Sequence, residues 1–487
     1  MKCFPRLVLV LDFICCSRTR TRRICLSRHL FRRALKLHTC LASDALQTSR
    51  VNVELINTGS ELMLGRVLNT HQQWLCRRLA DLGYVVTRQV AVADTGHDIE
   101  TVVREALSRA DLIITTGGLG PTSDDITRQL IAALLGKNLH EDAAIIQHIE
   151  QYFASRKRPM PPSTRVQALV PESAIVLANP HGTAPGLAME VTEDGGSKIE
   201  DGGKRCCPST INSQPSTPQW LIMLPGPPRE LRPMFDTSVV PLLKRALPLA
   251  SSYACRTLRT CGIGESVVEE KVGTLLKPLV EQGLDLGYCA RIGQVDIRLA
   301  AHGERGALLI QQGEAIVRTQ LANHIYGEDD EQLESVIVRL LTERKQTLAL
   351  AESCTGGGIA NRITNVPGAS AVLLASLVTY ANAAKQKFTG VRSETLAAHG
   401  AVSEAVAREM AEGARRETGA DYALSVTGIA GPGGGSDAKP VGTVFMALAS
   451  SRDTVVLKEF NPFDRETFKN VTGTQVLEML RRVIGLQ

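Results

Sequence analysis

The stretch ADLIITTGGLGPTSDD, residues 110–125, decides the fold of the first part of the chain. Its apolar core predicts a buried strand, the glycines that follow end this strand, and residues 124–136 have the spacing of a helix. Doubly wound sheets bind ligands where such a strand passes through a turn into a helix. The stretch therefore predicts an α/β sheet with a ligand site at this turn.

The flanking sequence continues this alternation. A strand VELINTG begins at residue 53, a helix is predicted over 69–82, the strand YVVTRQVAVA follows, and another helix is predicted over 97–109. Strands that alternate with helices form a mostly parallel sheet with helices on both faces. We therefore expect the first domain, residues 51–250, to be a doubly wound sheet.

The length of 487 residues fits three domains of about 100–200 residues each. Residues 251–335 read β-α-β-β-α, which predicts a small α+β module, and residues 336–487 begin with an amphipathic helix and contain four predicted strands. Within the first domain, residues 192–217 are rich in Gly, Ser, Asp, Lys, Pro and Thr. This composition predicts a loose insertion.

The charge of the chain is unevenly distributed. Residues 1–50 hold eleven Lys or Arg against Asp12 and Asp44, while residues 51–487 hold 44 Lys or Arg against 48 Asp or Glu. The larger part has no basic surplus that would attract nucleic acid, and no apolar run is long enough to span a membrane. We therefore expect neither nucleic acid nor a membrane as a partner.

The positions and spacing of the cysteines indicate the cellular compartment of the protein. Five of the twelve Cys lie in the first forty residues, and no pair has C-x-x-C spacing. Neither a zinc site nor a disulfide framework is predicted, which favours a reducing, cytoplasmic location. The Arg-rich extension 1–50 has two interpretations: an organellar transit peptide, or a start site assigned too far upstream of a chain that begins near Val51.

Three Gly turns of the first domain carry acids. Gly117, Gly118 and Gly120 allow backbone N–H groups to approach an anion at a helix N-terminus, and Asp124 and Asp125 follow in the same turn. The turns TGSEL at 58–62 and PGPPRE at 225–230 add Glu61 and Glu230. This pattern predicts a nucleotide or pterin phosphate pocket with a divalent metal; the alternative is a tight turn in which Asp caps the helix.

The last section places a serine at a strand-to-helix turn. AESCTGGG, residues 351–358, exposes Ser353 beside backbone N–H groups that can stabilise an oxyanion. The only His in residues 336–487 is His399, which lies in a loop-like run, so a Ser-His-Asp triad is disfavoured. Lys385 closes the run VTYANAAK, and a partly desolvated lysine can act as the base. Cys354 is the rival nucleophile, and a solvated helix lysine is the alternative for Lys385.

A second Gly-rich loop, SVTGIAGPGGG at 425–435, closes another predicted strand. Its hydroxyl and N–H donors can hold an anion, as in a phosphate cradle. A flexible hairpin is the alternative.

These motifs in combination resemble the CinA (competence/damage-inducible protein A) family, whose first domain is similar to molybdopterin-binding domains. TGSEL, TTGGLGPTSDD, GTAPG at 182–186 and PGPPRE match its first domain; AESCTGG, VTYANAAK, GAVSE at 400–404, TGIAGPGGG and KPVGTV match its last. The middle module is then KH-like. The resemblance spans residues 51–487.

The resemblance implies an activity for each end of the chain. The C-terminal domain would hydrolyse the amide of nicotinamide mononucleotide (NMN) to nicotinate mononucleotide and ammonia without a cofactor. Ser353 would be the nucleophile, with Ser370 and Lys385 relaying its proton; Tyr380, Thr427, Gly428 and Arg465 would bind substrate. The first domain would be a metal-dependent ADP-ribose pyrophosphatase with Asp124, Asp125, Glu61 and Glu230 as its polar residues.

Two residues depart from the family pattern. His71 stands where Asn is usual, and Lys469 stands where a second Arg is usual. A lysine binds phosphate as a point charge and lacks the two-pronged contact of a guanidinium. Three hypotheses remain open: an NMN amidase with a second nucleotide hydrolase, a non-catalytic nucleotide-binding or scaffold protein, and a chain in which only the first domain works. We expect small nucleotides as substrates and a homodimer as the assembly.

Overall fold

The computed structural model describes residues 51–191 and 218–485. These residues form two compact units, one from 51–66 and 87–250 and the other from 67–86 and 251–485, within the described ranges. No helix in these ranges is long and apolar enough to cross a membrane. The predicted basic extension, 1–50, and the predicted insertion, 192–217, lie outside the described residues.

The described part of residues 51–250 contains eight strands and seven α-helices. The strands are β1 (Asn52–Thr58), β2 (Val85–Val92), β3 (Leu112–Thr116), β4 (Leu139–Glu141), β5 (Leu169–Pro171), β6 (Ile175–Leu177), β7 (Gly186–Val191) and β8 (Gln219–Leu224). The helices are α1 (Ser60–Met63), α2 (Thr70–Asp81), α3 (Gly96–Leu107), α4 (Thr127–Leu134), α5 (Ala143–Ser155), α6 (Pro228–Met234) and α7 (Val240–Ala246), with a 3-10 turn at Pro162–Ala168 and a π turn at Phe235–Val239. The helix α2, which carries His71, belongs to the second unit.

Six of these strands form one sheet in the order β2-β1-β3-β8-β7-β6. β1, β3 and β8 are parallel, and β7 and β6 run antiparallel to their neighbours. All five residues of β3 are buried, as expected for a strand covered on both faces. Because the three central strands are parallel, the three predicted Gly turns lie at one edge of the sheet.

The middle module is a four-stranded antiparallel sheet covered by two helices. Its elements are β9 (Tyr253–Cys261), α8 (Glu265–Val280), β10 (Leu284–Arg291), β11 (Gln294–His302), α9 (Gly306–Leu321), a 3-10 turn (Ala322–His324) and β12 (Ile325–Glu328), with the strand order β10-β11-β9-β12. Several of its arginines pair with acids of the same module: Arg256 Nη1 lies 2.9 Å from Glu328, and Arg298 Nη1 lies 3.2 Å from Asp285. The charges of these arginines are therefore paired with acids of the same module.

The C-terminal part has a five-stranded sheet in the order β14-β13-β15-β16-β17. Its elements are α10 (Leu333–Glu343), β13 (Leu348–Glu352), α11 (Gly358–Thr364), a 3-10 turn (Ala369–Ala371), β14 (Leu373–Val378), α12 (Asn382–Thr389), α13 (Ser393–His399), α14 (Glu404–Thr418), β15 (Tyr422–Gly428), β16 (Thr443–Ala449), β17 (Thr454–Phe460) and α15 (Arg465–Gly485). β14, β13 and β15 are parallel, and β16 and β17 are antiparallel to their neighbours.

The sequence of β13 explains how its two faces are covered. Its residues LALAE alternate large and small: Leu348 and Leu350 pack in the larger core, while Ala349 and Ala351 face α14. Glu352 continues the leucine face at the end of the strand, where α11 begins. The alternation therefore places a carboxylate under the turn that carries Ser353.

The predicted α/β class is confirmed: a six-stranded sheet is followed by a smaller α+β module and a C-terminal α/β module. The helices predicted over 69–82 and 97–109 are present as α2 and α3. The sequence missed six strands: β4, β5, β6 and β7 of the first domain, the short β12 and the edge strand β17. The domain boundaries near residues 250 and 335 stay predictions.

Candidate active site

The turn after β13 holds Ser353 in a fixed backbone. Gly356 and Gly357 have φ angles of 62° and 93°, a left-handed region that glycine adopts without strain. The carboxylate of Glu352 accepts hydrogen bonds from the backbone N–H groups of Gly357 (2.9 Å), Ala360 (2.9 Å) and Ile359 (3.2 Å). These bonds satisfy the first N–H groups of α11 and tie that helix to the strand.

Lys385 of α12 reaches this turn from the opposite side. Its Nζ lies 3.0 Å from Ser353 Oγ, 2.8 Å from the carbonyl oxygen of Thr379 and 3.2 Å from that of Tyr380. The lysine is 1% exposed and Ser353 is 9% exposed. The structure therefore brings together the predicted nucleophile and the predicted base, which are 32 residues apart in sequence.

The surroundings of Lys385 favour its neutral form over the ammonium. Burial lowers its pKa below the usual 10.5 because water no longer solvates the ammonium. A neutral amine has two N–H donors and one lone pair. The carbonyls of Thr379 and Tyr380 can take the two N–H groups, which leaves the lone pair to accept the proton of Ser353. The neutral form of Lys385 thus fits its three neighbours.

Cys354, the rival nucleophile, belongs to the hydrophobic core. Its side chain is 5% exposed and packs in the cluster around Leu350 and Val426. Burial raises the pKa of its thiol to about 12, so almost no thiolate exists at neutral pH.

We therefore expect Cys354→Ala to retain the amide hydrolysis proposed below, with kcat within about threefold of the wild type. The cost should appear instead in thermal stability, because a buried thiol is replaced by a smaller group. Parallel measurement of ammonia release and melting temperature checks this. A loss of turnover without a loss of folding would contradict the assignment of Cys354 to the core.

Ser370 lies away from Ser353 and Lys385, so this chain does not form the proton relay that the resemblance implies for Ser370. It is exposed on the 3-10 turn before β14, and the carbonyl of nearby Val372 accepts the N–H of Leu348 at the start of β13. Ser353 follows the other end of β13, about 16 Å away at 3.3 Å per residue. Because β13 and β14 are parallel, one chain cannot bring the two serines together.

Two other predicted substrate residues lie beside the site. Arg465 Nη2 donates to the hydroxyl of Tyr380 at 2.8 Å, and its Nη1 donates to the carbonyl of Gly431 at 2.8 Å. Tyr380 is 59% exposed, so one ring face is open to a ligand. Arg465 therefore links the Tyr380 loop to the Gly-rich loop at 425–435.

Thr427 and Gly428 have structural roles in this sheet. Thr427 is 1% exposed, and its hydroxyl donates to the carbonyl of Ala401 at 2.8 Å. A Cβ on Gly428 would lie 2.9 Å from the carbonyl oxygen of Thr443 and 3.0 Å from Phe468. The Thr427 hydroxyl is thus already bonded within the chain, and Gly428 permits close packing.

A cationic pocket of about 530 Å³ lies against the Ser353 turn. It is lined by residues of α11 and α15: Gly358, Asn361, Arg362, Arg465, Glu466, Lys469, Asn470 and Gly473. The Nζ of Lys469 is 3.9 Å from the position of a Cβ on Gly356. Of the three cations that line the pocket, Arg362 is paired with Glu334, so Arg465 and Lys469 are the two suited to an anionic group.

Sequence reasoning missed Arg362, which donates to Thr474 Oγ1 (2.9 Å) and to Glu334 (3.0 Å) at the base of this pocket. The sequence did carry a signal for the pocket, although not for Arg362. Arg465, Lys469 and Gly473 follow at intervals of four, which places them on one face of α15.

In the first unit, the turn predicted to bind phosphate is closely packed. The N–H of Gly117 donates to the carbonyl of Leu224 at 3.0 Å. A Cβ on Gly118 would lie 1.9 Å from Thr127 Oγ1, and one on Gly120 would lie 2.3 Å from Asp125. These glycines therefore let the turn fold onto α4.

The four acids predicted to hold a metal do not gather. Glu61 and Asp124 are exposed. Asp125 accepts hydrogen bonds from the backbone N–H and the hydroxyl of Thr122. Glu230 is 7% exposed and accepts a hydrogen bond from Asn179 Nδ2 at 2.9 Å. No group of three or more His, Cys, Asp or Glu in the described ranges is placed to hold a metal ion. The donor set thus does not fit the metal site that the motifs predict.

A buried arginine under the same turn was also missed from the sequence. Arg128 is fully buried and donates to the carbonyls of Leu119 and Val166, both at 2.7 Å. Burial lowers its pKa to about 10. Its role is to hold the turn through backbone carbonyls.

Comparison with known proteins covers almost the whole described chain. Residues 54–245 match a probable molybdopterin binding domain, residues 255–327 the damage-inducible protein CinA KH domain, and residues 330–484 the CinA C-terminal domain. The putative competence-damage inducible protein of Moorella thermoacetica is 41% identical over 440 residues, covering 90% of this chain and 100% of that protein. The CinA-like protein of Akkermansia muciniphila is 41% identical over 429 residues, covering 88% and 96%.

Among solved structures, the competence/damage inducible protein CihA from Agrobacterium tumefaciens is 40% identical, covers 31% of this chain and 93% of that chain, and has a TM-score of 0.31. The resemblance based on the motifs is confirmed by the family matches and full-length relatives. This chain belongs to the CinA family.

Proposed function

We propose that the C-terminal domain is a nicotinamide-nucleotide amidohydrolase that converts NMN and water to nicotinate mononucleotide and ammonia. The observation that carries this proposal is the 3.0 Å contact between Ser353 Oγ and the buried Nζ of Lys385. A serine paired with a desolvated lysine is a known arrangement for attack on an amide carbon. Such a reaction would serve NAD metabolism through salvage of pyridine nucleotides.

Ser353 and Lys385 account for both halves of the reaction. Lys385 takes the hydroxyl proton as Ser353 Oγ bonds to the amide carbon, and the ammonium then gives a proton to the amide nitrogen, which leaves as ammonia. Water attacks the resulting ester while Lys385 accepts its proton. That proton returns to Ser353 Oγ when the ester bond breaks, and the carboxylic acid that is released loses its proton to solvent. No metal or organic cofactor is needed for these steps.

The oxyanion requires N–H donors from the same turn. The N–H of Gly356 donates to the carbonyl of Ser353, and that of Gly357 donates to Glu352. We therefore assign the N–H groups of Cys354 and Thr355 as the donors to the developing charge.

The cationic pocket supplies the basis for choosing a nucleotide over a simple amide. Arg362, Arg465 and Lys469 line it, and Lys469 Nζ lies 3.9 Å from the position of a Cβ on Gly356, in the turn that carries Ser353. A phosphate held there would place the rest of a mononucleotide across the turn toward Ser353. The open ring of Tyr380 offers a surface on which the pyridine ring can stack.

The direct test uses the full chain with three substrates. Ammonia release from NMN should exceed release from nicotinamide riboside, which lacks the phosphate, and should be unchanged by EDTA. ADP-ribose cleavage, with and without divalent metal, tests the first domain separately. Absence of turnover of NMN in the correctly folded protein would overturn the amidase and favour the non-catalytic binding or scaffold alternative.

Lys469→Ala should raise KM for NMN by about tenfold to hundredfold, since a charged hydrogen bond contributes about 1.5–3 kcal/mol, with a smaller effect on kcat. Lys469→Arg should lower KM, because the guanidinium can bind phosphate with two N–H groups. Steady-state kinetics with NMN check both. Lys458→Ala on β17 is the matched control; equal KM values for the Lys469→Ala and control variants would remove Lys469 from the phosphate site.

A further inference from the structure

The cationic pocket contains an acid that no neighbouring cation neutralises. Glu466 lies in the first turn of α15 and lines the pocket together with Arg465 and Lys469. The backbone N–H of Glu466 donates to Asp464 Oδ1 at 3.0 Å. Within residues 51–191 and 218–485, no group forms a hydrogen bond or an ion pair with its carboxylate. The carboxylate of Glu466 is therefore available to accept hydrogen bonds from a ligand.

A phosphate group alone does not explain this acid. A carboxylate repels a phosphate because the two charges have the same sign, so a site for phosphate alone favours cations and neutral donors. The pocket has a volume of about 530 Å³. Pockets that take whole small molecules have volumes of about 300–1,000 Å³. The pocket therefore suits a ligand in which a phosphate is joined to a group that donates hydrogen bonds.

The groups around Glu466 are complementary to a sugar. Asn470 follows Glu466 by one helical turn, and Asn361 of α11 lines the same pocket. Among the described residues, neither side-chain amide has a hydrogen-bond partner. An amide donates and accepts, as a hydroxyl does, while an ionised carboxylate only accepts. Dinucleotide-binding sites also use an acid to bind a ribose hydroxyl. One carboxylate with two amides thus suits the vicinal hydroxyls of a ribose.

Glu466 also lies at the right place along the pocket. Residues three apart on a helix have Cβ atoms about 5–6 Å apart, so Glu466 and Lys469 can reach one ligand. The Nζ of Lys469 is 3.9 Å from the position of a Cβ on Gly356, in the turn that carries Ser353. In a mononucleotide, the ribose joins the phosphate to the base. A ribose bound to Glu466 would therefore adjoin a phosphate bound to Lys469.

We propose that Glu466 selects a ribosyl substrate: its carboxylate accepts hydrogen bonds from the 2′- and 3′-hydroxyls of the ribose, while Arg465 and Lys469 hold the 5′-phosphate. The proposal rests on the proposed amidase function and adds a sugar subsite to it. The competing role for Glu466 is to stabilise the N-terminus of α15 through the helix dipole. That role changes the stability of the fold but gives no preference between sugars.

Kinetics of the full chain with NMN and 2′-deoxy-NMN distinguish these roles. The wild type should prefer NMN by about tenfold in kcat/KM, as expected for one hydrogen bond to a charged group. Glu466→Ala should reduce this preference to within about twofold, and Glu459→Ala on β17 is the matched control that should keep it. Removal of an acid that only repels phosphate would instead lower KM for both substrates. That result, or an unchanged preference in Glu466→Ala, would refute the sugar subsite.

Nicotinamide riboside separates the sugar subsite from the phosphate subsite. Glu466→Ala should lower kcat/KM for the riboside about as much as for NMN, because both contain the ribose. Lys469→Ala should lower kcat/KM for NMN alone. An effect of Glu466→Ala that disappears with the riboside would assign Glu466 to the phosphate and contradict its contact with the sugar.

Calorimetry tests the subsite without any turnover. The wild type should bind ribose 5-phosphate about tenfold more tightly than 2-deoxyribose 5-phosphate, and Glu466→Ala should bind the two alike. Circular dichroism confirms that each variant is folded. Equal binding of the two sugars by the wild type, or binding of neither, would overturn the subsite. If the wild type releases no ammonia from NMN but prefers ribose 5-phosphate, the proposed function fails and the sugar subsite stands.

Discussion

Replacing Lys385 with methionine is expected to lower kcat/KM for NMN by about 10²–10⁴-fold, the contribution typical of a positioned general base. Methionine has a similar length and suits a buried site, but it cannot accept the proton of Ser353 or return one to the leaving nitrogen. Ammonia release measured across substrate concentrations gives kcat/KM directly.

Lys385→Arg is the matched variant. It keeps a cation and its donors, but a guanidinium stays protonated at every accessible pH and has no lone pair to offer Ser353. We expect it to be as inactive as Lys385→Met. Near-wild-type activity in either folded variant would show that Lys385 is not the base.

The pH dependence of the wild type adds an independent readout. Since the neutral amine of Lys385 is the proposed base, kcat/KM should rise with pH and level off above the pKa of Lys385 in the free enzyme. Burial lowers that pKa, so the midpoint should fall below the usual lysine value of 10.5. Lys385→Met should lose this rising limb. A midpoint at or above 10.5 would contradict the buried, neutral lysine.

The fold could be predicted wherever local patterns were strong. The run LIITT followed by glycines marked β3, and the amphipathic segments marked α2 and α3. The strand β17 was missed because its TVVLKEF pattern leaves most side chains exposed at an edge. The strand β12 has only four residues. In both cases the strand is defined by pairing with a neighbour, which a local window does not contain.

The site was predicted only in part, because a local stretch of sequence does not show which distant residues meet. Ser353 and Lys385 each stood out by their turn and strand context, and the structure brings them into contact. The role expected for Ser370 within one chain failed because it depends on which end of a parallel strand a residue occupies. The acids of the first domain do not gather, because Asp125 is bonded to Thr122 in its own turn and Glu230 to Asn179 in the loop after β6.

Ser353→Ala is expected to abolish NMN hydrolysis, with a loss on the order of 10⁶-fold in kcat, as found for removal of a serine nucleophile. The alanine removes the atom that bonds to the amide carbon and leaves the cationic pocket intact. Binding of NMN, measured by calorimetry, should therefore persist in this variant. Loss of binding together with turnover would indicate a disturbed fold and not a missing nucleophile.

In the proposed reaction, Ser353 is the nucleophile that attacks the amide carbon of NMN. Ammonia release from NMN, measured in EDTA for the wild type, Ser353→Ala and Cys354→Ala under identical conditions, tests this role. We predict turnover by the wild type and by Cys354→Ala, and none above background by Ser353→Ala. Undiminished ammonia release by Ser353→Ala would show that another group is the nucleophile.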